Sequence, residues 1–233
     1  MVTSGVERIV ERQMRNWELA RSQRDTESGP HADHVFEFLA ISRQSGSGGL
    51  TLAHGVGEQT GWEVYDREIL NYMAQDDAVQ QKIYEMADEH AEGYFESILK
   101  SLGFEGRPPG SDYFRKLVGS INAIAQTNHA IFVGRGACFI LPAERGLRVR
   151  VVAPEKVRFE RRARQVGCSL DQASAAVRER DADRNKFLRD HFLVDASSPE
   201  HYDIVVNTAA MPTDAAVAML VESLERKTNI RIR

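Results

Sequence analysis

The sequence predicts an α/β fold, a parallel β-sheet covered by helices on both faces, with a helical arm in front of it. Three observations predict it. Short runs rich in Val, Ile, Phe and Tyr alternate with longer amphipathic stretches over residues 35–226, the pattern of strand–helix–strand units. A glycine-rich turn follows the first of those runs. A polar stretch containing Gly29-Pro30 separates the first amphipathic stretch from the rest, which marks a linker.

In chain order, Val6, Val10, Met14 and Trp17 recur at helical spacing, so residues 5–21 read as an amphipathic helix. Ser22 to His34 reads as linker, which gives an arm and linker at 1–34 and a main body at 35–233. A lone helix of ~17 residues is marginal in water, so the stripe needs a partner surface. The linker is long enough to reach a second copy, which predicts a homodimer through the arm, and equally long enough to fold the arm back on its own body. Strands are expected at Val35–Ile41, Trp62–Tyr65, Ala130–Val133, Leu147–Ala153 and Tyr202–Asn207. Helical patterns cover about 51–60, 67–75, 112–127, 154–166, 169–190 and 213–226, and the third carries Phe114, Leu117, Val118, Ile121 and Ile124 on one face. Residues 76–111 interrupt the alternation and end in Gly106-Arg107-Pro108-Pro109-Gly110, an expected helical insertion with an exposed loop. In open parallel sheets ligands bind at the carboxyl ends of the strands.

Composition narrows the function. The 233 residues are 42% apolar and 27% charged, enough for a sizeable core. The net charge of −4 argues against nucleic acid or a membrane surface as partner. No apolar run approaches the ~18 residues that span a bilayer. Cys138 and Cys168 are too few for a disulfide framework or a zinc site and read as buried thiols. A reduced, cytoplasmic protein is expected. Charge is uneven: residues 58–105 carry twelve acids and three bases, whereas residues 144–190 carry thirteen bases and eight acids. Arginine dominates the basic block, including Arg158, Arg161, Arg162, Arg164, Arg178, Arg180, Arg184 and Arg189, and arginine suits bidentate contact with phosphate. A basic element in an acidic chain points to a small phosphorylated ligand. His31-x-x-His34 has metal-like spacing, but it lies in the polar linker with no further ligands.

The sharpest motif follows the first strand: Ile41-Ser42-Arg43-Gln44-Ser45-Gly46-Ser47-Gly48-Gly49-Leu50-Thr51. Glycines at a strand–helix junction let backbone amides point at an anion and let it approach closely, and the helix N-terminus adds its dipole. The match to G-x-x-x-x-G-K-[ST] is broken. Gly49 stands at the lysine position and Arg43 at the first glycine.

Five segments in order resemble the cytidylate kinase-like family. They are Ser45-Gly46-Ser47-Gly48-Gly49-Leu50-Thr51-Leu52, Trp62-Glu63-Val64-Tyr65-Asp66-Arg67-Glu68-Ile69-Leu70, Val133-Gly134-Arg135-Gly136-Ala137, Val152-Ala153-Pro154 and Tyr202-Asp203-Ile204-Val205-Val206-Asn207-Thr208. The resemblance covers about 35–226. It implies a three-layer α/β/α P-loop kinase-like core with a five-stranded parallel sheet of order 2-3-1-4-5 and a helical lid at about 167–191. It also implies an ATP- and magnesium-dependent phosphoryl transfer to a small nucleotide, cytidine monophosphate first.

Residue roles are carried over from that resemblance one at a time. Loop residues Ser45, Gly46, Ser47, Gly48, Gly49, Leu50 and Thr51 would hold the ATP phosphates, and Thr51 would help ligate Mg2+. Asp66 would sit near the acceptor nucleotide, or cap the helix after it. Arg135 would meet the acceptor phosphate. In the lid, Arg180 and Arg184 share a helix face and would bracket the transferring phosphoryl group, with Asp181 and Asp183 on the substrate side or orienting the arginines. Arg43 or one of the lid arginines is the candidate replacement for the missing lysine. Two other readings stay open: a nucleotide-binding regulatory module with weak turnover, favoured by Gly49, and a P-loop kinase for a different small acceptor, favoured by the insertion.

Overall fold

The computed structural model describes residues 3–24, 35–86, 100 and 112–232. In chain order its elements are α1 (Thr3–Arg24), β1 (Phe38–Arg43), α2 (Gly49–Thr60), β2 (Glu63–Tyr65), α3 (Arg67–Gln75), α4 (Asp77–Met86), α5 (Asp112–Ala125), β3 (Ala130–Val133), α6 (Ala137–Ile140), β4 (Gly146–Val152), α7 (Glu155–Val166), α8 (Leu170–Phe192), β5 (Ile204–Asn207) and α9 (Thr213–Thr228). The rest of the expected insertion and the His31/His34 pair lie outside the described residues. Two compact units divide the chain: Met1–Glu37 with Tyr65–Ala130, and Phe38–Val64 with Ile131–Arg233.

The first unit is helical. Its core is the apolar face of α5, on which Phe114, Leu117, Val118, Ile121 and Ile124 are all buried, with Leu70 and Met73 of α3. α1 packs on α3 and α4. Trp17 is fully buried and its indole N–H donates to the Ala123 carbonyl at 3.1 Å. Gln13 lies on the same face as Val10 and Trp17 and is 1% exposed. Its amide nitrogen donates to Thr127 Oγ1 and Asn128 Oδ1 at 3.0 Å each, and its Oε1 accepts from the Tyr65 hydroxyl at 2.6 Å. Burial pushes the Tyr65 phenol up to about 12. Of the two arrangements expected for the arm, the structure has α1 packed within its own unit. The stripe of α1 is covered by its own chain, because a tryptophan and a glutamine on one face find apolar and polar partners there together.

The sheet has the order β2-β3-β1-β4-β5. β1 runs parallel to β4 in the register Leu39↔Leu147 and Ile41↔Val149, and β4 parallel to β5 in the register Val151↔Val206. That register places Leu39, Ile41, Leu147, Val149, Val151 and Val206 in one buried cluster, since alternate strand residues share a face. Leu52 and Val56 of α2 and Val217, Leu220 and Leu224 of α9 close over it. On the other face the Phe139 ring packs against Phe192 and Tyr202, whose hydroxyl donates to Ser42 Oγ at 3.2 Å. This is the expected α/β arrangement in the expected strand order.

The first strand begins later than expected, at Phe38 rather than Val35. The Phe36 N–H is bonded to the Ala125 carbonyl at the end of α5, so Val35–Glu37 joins the helical unit. The last strand starts at Ile204, because Tyr202 turns away to the Ser42 and Ala196 oxygens. Among the described residues no helix is long and apolar enough to cross a membrane.

Candidate active site

The glycine loop is built where β1 runs out of sheet. The Gln44 N–H still donates to the Val151 carbonyl, and its side-chain oxygen accepts from the Ala153 N–H at 3.2 Å. The chain then turns through Ser45–Gly48 into α2. Gly46 has φ 76, and a Cβ there would lie 2.7 Å from the Arg158 carbonyl oxygen. Gly48 has φ 82 and caps α2 without a side chain, and a Cβ there would meet nothing nearer than 3.7 Å. Gly46 is thus required by close backbone approach, and Gly48 by conformation alone.

Two arginines of α7 brace the loop from outside. Arg158 is 4% exposed; its Nε donates to the Ala153 carbonyl at 3.0 Å, and its Nη1 to the Ser45 carbonyl at 3.1 Å and to Asp181 Oδ2 at 2.6 Å. Arg161 donates to Thr208 Oγ1 at 2.7 Å and to the Thr208 carbonyl at 2.9 Å, and more distantly to the Ser47 carbonyl at 3.4 Å. The Thr208 hydroxyl in turn donates to the Ser47 carbonyl at 2.7 Å. The loop carbonyls at 45 and 47 are therefore fixed by groups more than a hundred residues away. Arg158 and Arg161 belong to the basic block and stand three apart, the spacing that puts both on one helix face. That spacing was the only signal in the sequence for their bracing role, and composition alone did not reveal it. Thr208 ended one of the resembling segments.

Helix α8 begins at a capping box of Ser169 and Gln172. Its first half packs on α7 through Ala173 and Val177, with Arg178 over the Phe159 ring at 5.2 Å and paired with Glu155 at 3.3 Å. In its middle Asp181 accepts the Ser45 backbone N–H at 2.6 Å, holds Arg158 at 2.6 Å and lies 3.5 Å from Arg184. Arg184 also donates to the Arg43 carbonyl at 3.4 Å. Arg180 and Asp183 are exposed on the helix, and Leu50 and Thr51 are exposed on the first turn of α2.

The Arg43 side chain runs from the glycine loop toward the turn after β3. Its stem lies where a Cβ on Gly49 would be, and its guanidinium lies where a Cβ on Gly134 would be. It thus bridges the glycine loop and the turn Gly134-Arg135-Gly136 after β3. Arg135 holds a left-handed backbone, φ 51, and its guanidinium stands over the Phe187 ring of α8 at 5.2 Å. The His191 ring sits 4.6 Å from Phe187. Burial draws the His191 pKa below its usual value, opposed by Asp190 and assisted by Arg135. The sheet edge therefore gathers Arg43, Arg135, Arg184 and the loop, an arrangement that can hold phosphate groups by charge and by backbone N–H. Asp66 belongs to the helical unit and caps α3, accepting the Glu68 and Ile69 N–H groups at 2.8 and 3.1 Å.

Thr51 fits a hard cation brought by a phosphate, since Mg2+ keeps several waters and needs few protein oxygens. Among the described residues no three His, Cys, Asp or Glu side chains group to hold a metal by themselves. Cys138 is buried against the Ala40 carbonyl, and burial pushes its thiol up to about 12, which makes it inert.

Residues 38–210 match the sequence model of the cytidylate kinase-like family. A cytidylate kinase of Thermococcus sibiricus is 24% identical over 189 residues, 80% of this chain and 87% of that protein. A cytidylate kinase of Methanosphaera stadtmanae is 27% identical over 134 residues, 57% of this chain and 76% of that protein. Among solved structures, an uncharacterized protein from Eubacterium ventriosum superposes with a TM-score of 0.67 at 19% identity, covering 83% of this chain and 99% of its own.

Proposed function

The chain belongs to the cytidylate kinase-like family, and from that premise we propose that it is a nucleotide kinase-type phosphotransferase. It moves the terminal phosphoryl group of ATP to a small nucleotide, with cytidine monophosphate the leading acceptor. The observation that carries this reading is the glycine loop at the end of β1, braced by Arg158 and by the Arg161–Thr208 pair, with a lid helix bringing Asp181 and Arg184 to it.

In this reading the amides of Ser45–Leu50 bind the ATP phosphates. The Thr51 hydroxyl would help hold Mg2+ bound with the nucleotide, and the ion would supply charge neutralisation at the phosphates. Arg43 replaces the absent lysine; its place between Gly49 and Gly134 suits a group that touches the phosphoryl unit on its way from donor to acceptor. Arg135 holds the acceptor phosphate, with Asp66 on the acceptor side. Arg180 and Arg184 bracket the transferring group, and Asp181 and Asp183 steer those arginines. There is little covalent chemistry for such a protein to do, so rate comes from positioning and electrostatics.

Gly49 at the lysine position favours a second reading, a nucleotide-binding regulatory module with weak turnover. A different small acceptor is the third. A coupled assay of ADP release over a panel of nucleoside monophosphates and other small acceptors separates them. Turnover with cytidine monophosphate supports the first reading, turnover with another acceptor the third, and ATP binding without acceptor-dependent turnover the second.

A further inference from the structure

The Asp181 carboxylate accepts the backbone N–H of Ser45 at 2.6 Å. It is clasped at 2.6 Å by the buried Arg158 and approached at 3.5 Å by Arg184. A loop amide and two guanidinium groups are the donor set that recognises a phosphate oxygen, charge-assisted bonds from fixed donors. Here the anion comes from the chain's own lid helix.

We infer that Asp181 is an internal anion that competes with the nucleotide for the phosphate loop. The inference rests on the reading of Ser45–Thr51 as a phosphate loop and adds a regulatory contact to it. A phosphate oxygen at the Ser45 amide and the Asp181 carboxylate cannot occupy the same place, so nucleotide binding requires the carboxylate to leave. Release gives up the contacts that Asp181 makes to Arg158 and Arg184, while Arg158 keeps its bonds to the Ala153 and Ser45 carbonyls and Arg184 its bond to the Arg43 carbonyl. Displacement of Asp181 thus vacates the Ser45 amide for the incoming phosphate and unlatches the middle of α8 from the loop. The same contact guards the arginine-lined loop against weaker anions, which must also displace a tethered carboxylate.

The arithmetic is that of a minor binding-competent state: the apparent dissociation constant is the intrinsic one divided by the open fraction. A latch closed about nine-tenths of the time weakens ATP by roughly tenfold and slows exchange of the Ser45 amide by the same factor. The two factors come from independent measurements and must agree.

The test uses the full chain with calorimetric titration of MgATP and, without nucleotide, hydrogen exchange of the Ser45 amide. Asp181→Ala is expected to bind MgATP roughly tenfold more tightly than the wild type and to exchange Ser45 roughly tenfold faster. Asp181→Asn keeps the shape without the charge, protects against a folding artefact in the alanine variant, and changes both readouts in the same direction by less. Binding by Asp181→Ala with none measurable in the wild type also supports the latch. Equal or weaker binding by both variants overturns it and leaves the phosphate-loop reading standing, provided that wild-type binding is lost in Gly48→Val. No MgATP binding by any of the proteins removes the phosphate-loop reading, and the latch with it.

Discussion

Replacing Arg158 by alanine removes a guanidinium that is 4% exposed and makes three bonds. Two go to neutral carbonyls, at Ala153 and Ser45, and each contributes about 1 kcal/mol. The third is a charge-assisted bond to Asp181 at 2.6 Å, worth about 1.5–3 kcal/mol. Asp181 keeps 21% of its side-chain exposure, so the carboxylate left behind regains some hydration and the lower part of the range applies. The expected loss for Arg158→Ala is about 3–4 kcal/mol, at the low end of the loss caused by deleting one partner of a buried pair. Arg158→Lys keeps the charge but cannot reach Ala153, Ser45 and Asp181 together, and should lose about 1–3 kcal/mol. Urea unfolding measures both, with an unchanged m-value showing that the same folded state is compared. The brace also sets the loop, so MgATP affinity should fall in both variants while they remain folded. A loss below about 1 kcal/mol in Arg158→Ala would mean that the buried guanidinium does not hold the loop to the sheet and lid, and would refute the reasoning.

Further expectations concern the loop, the bridge, the arm and the buried thiol. Gly48→Val places a β-branched residue at φ 82, costs about 1–3 kcal/mol of strain, and should abolish ATP binding by calorimetry while circular dichroism still reports a folded chain. Arg43→Ala should lower kcat by about 10²–10³, as expected for loss of a charge aimed at the transferring group, and weaken ATP more than AMP; equal losses for the two nucleotides would leave Arg43 a packing role only. Trp17→Ala removes a fully buried indole bonded to Ala123 and should cost about 3–5 kcal/mol by urea unfolding. If α1 instead served a second copy, light scattering would show that deleting it halves the mass. The Cys138 thiol, raised from 9.0 to about 12, stays neutral in the folded chain while the unfolded chain ionises. Its contribution to stability is therefore complete below pH 9 and lost as pH rises toward about 12, and Cys138→Ala should flatten that alkaline decline.

The sequence alone determined the strand–helix alternation, because a half-buried strand and an amphipathic helix write their periods into local residue order. The core of α5 was readable from Phe114, Leu117 and Ile121, and the glycine loop from the position of Gly46, Gly48 and Gly49 after an apolar run. The resembling segments supplied the strand order that the pairing of β1 with β4 bears out. Tertiary structure alone decided the rest. It determined that Val35–Glu37 joins a helix end, since a local apolar run does not say which backbone will take its N–H groups. Only the fold covers the stripe of α1, because Gln13 is a core residue once Tyr65, Thr127 and Asn128 surround it. The same holds at the loop. Arg158, Arg161, Asp181 and Thr208 are ordinary charged and polar residues in sequence, and they become its brace and latch only where the sheet edge brings their elements together. Periodicity is a local property of the chain, whereas charge pairing and hydrogen-bond satisfaction in a buried place depend on what folding puts opposite each group.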